Sequence, residues 1–195
     1  MINDSLLQKF IDQFDNLKRV VAASSARSIE DPPDPLFYEN QNVFVKSYLV
    51  SACSMLEAFI QDLAIAYIDN IQARINAANL PFNFVVWTVG HEKANLDFKS
   101  FESAKGKKDI SDIISPNYGK TVKAFQKIGV DLSSSDAQAH KDFISSIVEK
   151  RNKIVHYNDE ALDLSFSDVM SVIDRFKDYC KCLYMAVSDS PHLKC

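Results

Sequence analysis

The feature that most constrains this chain is a long run of helical periodicity from about Asn40 to Ala78. Apolar residues recur there every three or four positions, which is the spacing of one face of an α-helix. This stripe consists of Phe44, Tyr48, Leu49, Ala52, Leu56, Phe59, Ile60, Leu63, Tyr67 and Ile71. The presence of only four glycines in 195 residues also favours a helical protein over one built from hairpins or phosphate-binding loops.

Three further long helices are predicted, each starting at a short polar residue that can cap a helix. They run from a cap among residues 3–5 to about Arg27, from a cap among residues 133–135 to near His156, and from Ser165 or Ser167 to about Ser188. The prolines in Asp31–Pro35 end the first helix, because proline lacks the amide hydrogen that a continuing helix needs.

Residues 80–134 have a weaker pattern, and we interpret them as an insertion between core helices. The apolar residues of 82–87 predict a short strand or a helical turn, Lys105–Lys108 a solvated loop, and Pro116–Ile128 a short helix. The chain is therefore predicted to be one all-α domain over residues 1–195. Its expected architecture is an antiparallel bundle of four long helices with a mid-chain insertion at about 80–134.

Charge and composition limit the partners that can be expected. The net charge of −4 differs from the basic field of a dedicated duplex-binding protein, so any contact with nucleic acid has to be local, in a cleft. The amino terminus has no signal-peptide pattern, and charged residues interrupt the longest apolar stretches. We therefore expect a cytoplasmic protein with no membrane span, whose four cysteines are reduced thiols.

The most informative motif is the sequence RNKIVH at residues 151–156, at the end of the third predicted helix. Arginine can hold a phosphate by two parallel hydrogen bonds, and a histidine can take up and return a proton near neutral pH. Together they indicate binding or chemistry at a phosphodiester. The other histidines, His91, His140 and His192, have no spacing that suggests shared ligation, so no metal or other cofactor is expected.

Arg151 falls within the apolar face of its own helix. At about 100° per residue, that face is formed by Phe143, Ile144, Ile147, Val148, Ile154 and Val155. A buried unpaired charge is costly, so this arginine must meet a carboxylate, line a cleft or face a subunit interface. Glu57, on the flank of the second helix's apolar face, is predicted to contact or orient Arg151 or Asn152. The alternative is an ion pair that only fixes helix register.

Asn152 and His156 are four residues apart and so lie on one flank of the helix, which Glu149 shares. Arg151 and His156 are about 140° apart and would not converge on one small group. Either the helix loosens at its end, or two chains combine their sites. We predict a two-fold homodimer through this helix, in which the arginine of one chain approaches the histidine of the other.

These residues carry a resemblance to a known family. Arg-x4-His at the end of a bundle helix resembles the HEPN superfamily, in particular stand-alone bacterial proteins of the RiboL-PSP-HEPN or MAE type. Residues 47–60, with the sequence SYLVSACSMLEAFI, look like the early helix of such proteins, and the closing helix Leu164–Val187 also resembles theirs. The likeness covers the second, third and fourth helices, and it does not extend to the 80–134 insertion.

The resemblance implies a metal-independent endoribonuclease that works as a homodimer and leaves 2′,3′-cyclic phosphate ends. By that likeness, Arg151 would stabilise the scissile phosphate and His156 would act as general acid or base. Asn152 would orient the histidine or the phosphate, with Glu57, Glu149 and Tyr157 in support. The resemblance also implies a toxin or defence effector that acts on RNA and is restrained by a nucleotidyltransferase-type antitoxin.

Two other interpretations stay open. The same cleft could bind nucleotide, RNA or protein without catalysis, because members of one fold often differ in activity. Alternatively, the chain could be a structural dimeric bundle in which Arg151 is merely paired with Glu57. The aromatic side chains of Tyr48, Trp87 and Tyr157 could stack on bases, although isolated aromatic residues are more often part of a core.

Overall fold

The structure is a computed structural model that describes residues 2–90, 97–102, 107–157 and 161–193. Within these ranges the chain is all-helical, with eight α-helices and no β-strand. The helices are α1 (Asp4–Ser28), α2 (Pro35–Glu39), α3 (Gln41–Ala77), α4 (Phe82–Thr88), α5 (Lys107–Ser111), α6 (Tyr118–Lys127), α7 (Lys141–Tyr157) and α8 (Phe166–Ser188). A 3-10 helix, Asp136–His140, leads directly into α7.

The core forms where α1, α3 and α8 pack against one another. Phe10 on α1 meets the edge of Phe59 on α3 at 5.4 Å between ring centroids, and Phe14 meets Phe176 on α8 at 6.2 Å. Burial of a single side chain of this size contributes about 1.5–3 kcal/mol, so these contacts dominate the stability of the fold. The predicted first, second and fourth helices are confirmed to within about two residues at each end.

Polar contacts fix α1 along α8. The Lys177 ammonium lies 2.6 Å from the Asp15 carboxylate, and Lys18 lies 2.5 Å from Asp174. Near the start of α1, the Tyr184 hydroxyl donates to the backbone carbonyl of Ile2 at 3.0 Å. Partly exposed ion pairs contribute little to stability, so their main effect is to set the register between the two helices.

The third long helix begins later than predicted. Ser133 and Ser134 donate their hydroxyls to the Asp131 carboxylate, and Ser135 precedes the 3-10 helix in place of an α-helix. Serine and aspartate side chains that bond locally in this way stabilise a turn and delay the helix. The α-helix therefore starts at Lys141, and its predicted end near His156 is confirmed.

Residues 80–134 contain short helices in their described part. The apolar residues 82–87 form α4 and not a strand, and α6 confirms the short helix predicted within Pro116–Ile128. Lys107 and Lys108, predicted as part of a solvated loop, begin α5. Lys105 and Gly106 lie outside the described residues. α5 packs on α3 and α6 packs on α7, so this segment contacts the same helices that form the core and the motif.

By length and composition, α3 is the one helix of the described ranges that could cross a membrane. Its fully buried residues include Leu49, Leu56, Ile60 and Leu63, which belong to the core that α1 and α8 share. A helix that is apolar on most of its circumference is also what a central core helix requires, because neighbours cover it on several sides. This packing accounts for part of the hydropathy of α3, since 39% of its most apolar 18-residue window is buried in the fold.

We predict that Ser165→Ala lowers the free energy of unfolding by about 1 kcal/mol at neutral pH. Ser165 caps α8 through a reciprocal box, in which the Asp168 amide donates to the serine hydroxyl at 3.2 Å and the Ser165 amide donates to the Asp168 carboxylate at 2.8 Å. The Ser165 hydroxyl also donates to the Asp168 carboxylate, at 2.6 Å, and this hydrogen bond, together with the one from the Ser165 amide, lowers the pKa of Asp168 below its ordinary 3.8. Their contribution is therefore complete above that pH and is lost as the pH falls through the lower native value.

Urea unfolding at neutral pH and at about pH 3 measures this effect. Ser171→Ala is the matched control and should cost nothing, because Ser171 is exposed in the second turn of α8 and its hydroxyl donates to the Ser167 carbonyl. The capping account is contradicted if Ser165→Ala and Ser171→Ala have the same effect at neutral pH.

Candidate functional site at the end of helix α7

The packing of α7 on α3 places the first half of the motif against the core. Ile144 and Val148 are buried, and Arg151 continues the same helix face one turn later, where it is half-buried. Asn152 is also half-buried, whereas His156 is exposed. Burial therefore decreases along the motif, from the arginine inside to the histidine at the surface.

Neighbouring residues use only part of the hydrogen-bonding capacity of the Arg151 guanidinium. Its Nη1 donates to the Asn152 side-chain oxygen at 3.1 Å. Its Nε is buried and has no hydrogen-bond partner in the part of the chain that the structure describes. No carboxylate of those residues lies within 4.0 Å of the guanidinium. A partly buried cation with an unused donor is costly unless an anion binds it.

Glu57 lies near Arg151 but does not pair with it. Both charges act on the buried thiol of Cys53, whose pKa is raised to about 12, chiefly by burial. The positive charge of Arg151 partly offsets this increase, and the Glu57 carboxylate adds to it. The two charged groups thus share the surroundings of one thiol, but the direct contact predicted from the sequence is absent from the described ion pairs. Among described residues, Asn152 is the residue that contacts the guanidinium.

On the flank predicted to carry Asn152, Glu149 and His156, the glutamate and the histidine are exposed and Asn152 is half-buried. Glu149 forms an ion pair with Lys153 one turn later, at 2.9 Å, and both side chains are largely exposed. The ring of His156 forms no hydrogen bond within the described residues. The Glu149 carboxylate is thus paired with Lys153 and not with His156. A supporting role of Glu149 in the site stays a prediction.

The last turn of α7 exposes apolar surface beside the histidine. Val155 lies on the same face as Val148 yet is 49% exposed, and Tyr157 is 82% exposed. By helix geometry His156 still lies about 140° from Arg151, so the loosened helix end that the sequence left open is not observed through Tyr157. Within one chain, the arginine and histidine therefore point in different directions.

Two features of the site were not identified from the sequence. Lys150, only 18% exposed, lies 2.5 Å from the Asp163 carboxylate and ties the segment before α8 to α7 next to Arg151. Cys53 lies in the interior close to Arg151 and is one helical turn from Glu57. The position of Lys150 directly before Arg151 indicated that this lysine lies near the site. Helix periodicity, however, does not predict an ion pair between residues 13 positions apart.

Tyr48 and His140, which were considered for base stacking and ligation, have structural surroundings, whereas Trp87 is 70% exposed. The Tyr48 hydroxyl lies 2.7 Å from that of Ser24, and its ring packs near Phe44. His140 packs against Tyr179, and burial is the main cause of its lowered pKa. Among the described residues, no group of three or more histidine, cysteine or acidic side chains is arranged to hold a metal ion. His91 lies outside the described residues.

The chain is similar to a known protein family. The model of the RiboL-PSP-HEPN family matches residues 14–189, which include Glu57, the whole of α7 and the segment 80–134. No curated protein and no solved structure matches the chain.

We predict that Arg151→Met leaves the free energy of unfolding within about 0.5 kcal/mol of the wild type, or raises it. Methionine keeps the apolar stem against the core, and the change removes a partly buried charge that no carboxylate offsets. Thermal and urea unfolding measure the effect.

Lys177→Met is the control, since it removes a half-buried cation that does have carboxylate partners, Asp15 and Asp174. It should cost about 1 kcal/mol. A loss of about 3 kcal/mol or more for Arg151→Met would instead show that Arg151 belongs to a buried structural ion pair.

Proposed function

The chain belongs to the RiboL-PSP-HEPN family, and from this we propose that it is a metal-independent endoribonuclease that acts as a homodimer. Its site is formed by Arg151, Asn152 and His156. The observation that carries the proposal is the state of Arg151, a half-buried guanidinium with a buried, unused Nε donor and no carboxylate partner among the described residues. A phosphate would use that donor and offset the charge.

The proposed reaction uses the RNA's own nucleophile. The 2′-oxygen attacks the adjacent phosphorus and loses its proton to a base, while the bond from phosphorus to the 5′-oxygen breaks and that oxygen receives a proton. The products are a 2′,3′-cyclic phosphate and a 5′-hydroxyl. Since the nucleophile is already close to phosphorus, the protein needs only to align it, move protons and stabilise the charge on the phosphate oxygens.

The three motif residues have distinct roles in this proposal. Arg151 binds the non-bridging phosphate oxygens and stabilises their growing charge. Asn152 accepts a hydrogen bond from Arg151 Nη1 and so orients the guanidinium. His156, exposed at the helix end, exchanges a proton with the 2′-oxygen or the leaving 5′-oxygen. An exposed position suits this role, because the RNA has to reach the ring from solvent.

A second copy of the chain would complete the site. In a two-fold dimer across α7, the arginine of one protomer and the histidine of its partner can approach one phosphate, although they diverge on one helix. Two observations support this. Val155 and Tyr157 expose apolar surface at the end of α7. Along α3, the exposed hydroxyls of Ser47, Ser51 and Ser54 donate to carbonyls four residues earlier, so these three serines leave no hydroxyl donor unused on this face.

We propose that the four long helices form an antiparallel bundle. Two contacts support opposite directions for α1 and α3. Lys9, early in α1, pairs with Asp62 in the second half of α3, and Ser24, late in α1, lies beside Tyr48 near the start of α3. Between α7 and α8, the Arg175 guanidinium lies over the Phe143 ring near the start of α7. The single domain over 1–195 with an insertion at about 80–134, the cytoplasmic location, and the toxin or defence role with its antitoxin stay predictions.

The first test is cleavage of a mixed-sequence single-stranded RNA by the purified protein in EDTA. We expect the wild type to produce 2′,3′-cyclic phosphate ends, identified by mass spectrometry. Arg151→Ala and His156→Ala should each reduce the rate by about 100-fold or more, because each removes a group that acts in the transition state. Arg151→Lys should retain part of the rate, since it keeps the charge but not the two-pronged hydrogen bond.

Lys141→Ala is the matched control, as it removes an exposed cation from the opposite end of the same helix and should cleave like the wild type. Circular dichroism confirms that every variant is folded. Cleavage by His156→Ala at the wild-type rate would contradict the assignment of the histidine. A folded wild type that binds RNA without cutting it would instead support the alternative, a non-catalytic binding module that uses the same residues.

A further inference from the structure

We propose that the far end of α3 carries a second binding site, for a small organic anion with an aliphatic body. The site is a cavity of about 550 Å³ between the end of α3, the turn after α6 and the segment that follows α8. Arg74, at its rim, lies 17 residues after Glu57 on α3, or about 25 Å along a helix. This inference is independent of the proposed ribonuclease activity.

The cavity has aliphatic walls. Ile71, Ile75, Leu80 and Ile128 line it, and its volume is within the range of about 300–1,000 Å³ that is typical of pockets for small molecules. The aromatic side chain in the lining, Tyr67, is almost fully buried, so it offers little ring face to a ligand. The walls below the rim therefore suit an alkyl chain, since the guanidinium and the imidazole of the lining, Arg74 and His192, lie at the rim and not along the walls.

The rim of the cavity is positively charged. The Arg74 guanidinium donates to the backbone carbonyl of His192 through Nη1, which leaves its other N–H groups available. It forms no ion pair within the part of the chain that the structure describes, and none of the described lining residues carries a carboxylate. In a protein of net charge −4, an arginine that pairs with no described carboxylate, at the mouth of a cavity with aliphatic walls, is complementary to an anionic headgroup.

The His192 ring, in the segment after α8, lies at the same rim and packs beside the turn that follows α6. Gly129 adopts a φ of +88°, which favours glycine, and a β-carbon built on it would lie 3.7 Å from the His192 ring. The turn therefore packs closely against the segment after α8, with Ile128 in the wall and the imidazole beside it. An alkyl carboxylate or alkyl phosphate could place its chain between the isoleucines and its headgroup between Arg74 and His192.

Isothermal titration calorimetry of the full chain with octanoate and with octyl phosphate tests the proposal. Octanol, which lacks the charge, and acetate, which lacks the chain, serve as ligand controls. We expect at least one charged octyl probe to bind at least about tenfold more tightly than octanol or acetate, and the headgroup preference distinguishes a carboxylate from a phosphate ligand. Arg74→Gln should weaken binding by about tenfold or more, whereas Arg19→Gln, a matched change on α1, should leave it unchanged.

A second variant separates the cavity from the arginine's contact with the segment after α8. Ala78→Phe keeps Arg74 and fills the cavity from its lining, so it should abolish binding of the octyl probe. The proposal is overturned if the wild type binds neither charged probe, if Arg74→Gln binds like the wild type, or if Ala78→Phe retains binding. Octanol binding as tightly as the charged probes would also overturn it.

Discussion

The burial of α3 on several sides is the constraint on which the rest of the structure depends. Its apolar residues contact α1 and α8, and a further part of its surface is covered by α7. Because α7 must bury Ile144 and Val148 there, the next residue on that face, Arg151, is carried into the same half-buried environment near Cys53. The position of the arginine is thus a consequence of core packing, while the histidine five residues later extends beyond the core into solvent.

This placement carries an energetic cost that the described part of the chain does not offset. A cation taken partly out of water normally gains a carboxylate partner, as the Lys177 ammonium does in Asp15. Arg151 has only the neutral side-chain oxygen of Asn152, and its Nε is unused. A binding site for an anion explains this arrangement, because the bound phosphate would supply the missing charge and acceptor. The match to the RiboL-PSP-HEPN family spans residues 14–189 and therefore includes these residues.

Periodicity and capping residues predicted most of the helices, since both depend on local interactions. The ends of α3 and α8 followed from the stripe of apolar residues and from Ser165, and the structure has them where expected. The predicted start of α7 was wrong, because the hydroxyls of Ser133 and Ser134 donate to the Asp131 carboxylate instead of capping the helix. A helical projection predicts the side on which a residue lies but not its distance from another helix.

For that reason the sequence indicated that Arg151 would be drawn inward, but it could not indicate that Arg151 and Glu57, which both act on the Cys53 thiol, form no ion pair in the described part of the chain. The ion pair of Lys150 with Asp163 and the cavity near Arg74 join residues that are distant in sequence or lie on separate elements. Their arrangement depends on the turns and on the way the helices pack. No local pattern within α7 or α3 contains that information.

The central claim is that Arg151 of one protomer and His156 of its partner form one ribonuclease site. The most direct test mixes inactive Arg151→Ala and His156→Ala proteins, after subunit exchange, and measures RNA cleavage. A shared site predicts that activity returns to about a quarter of the wild-type level, since half of the dimers are mixed and each has one intact pair. If the mixture stays inactive although mixed dimers are shown to form, the shared site is contradicted.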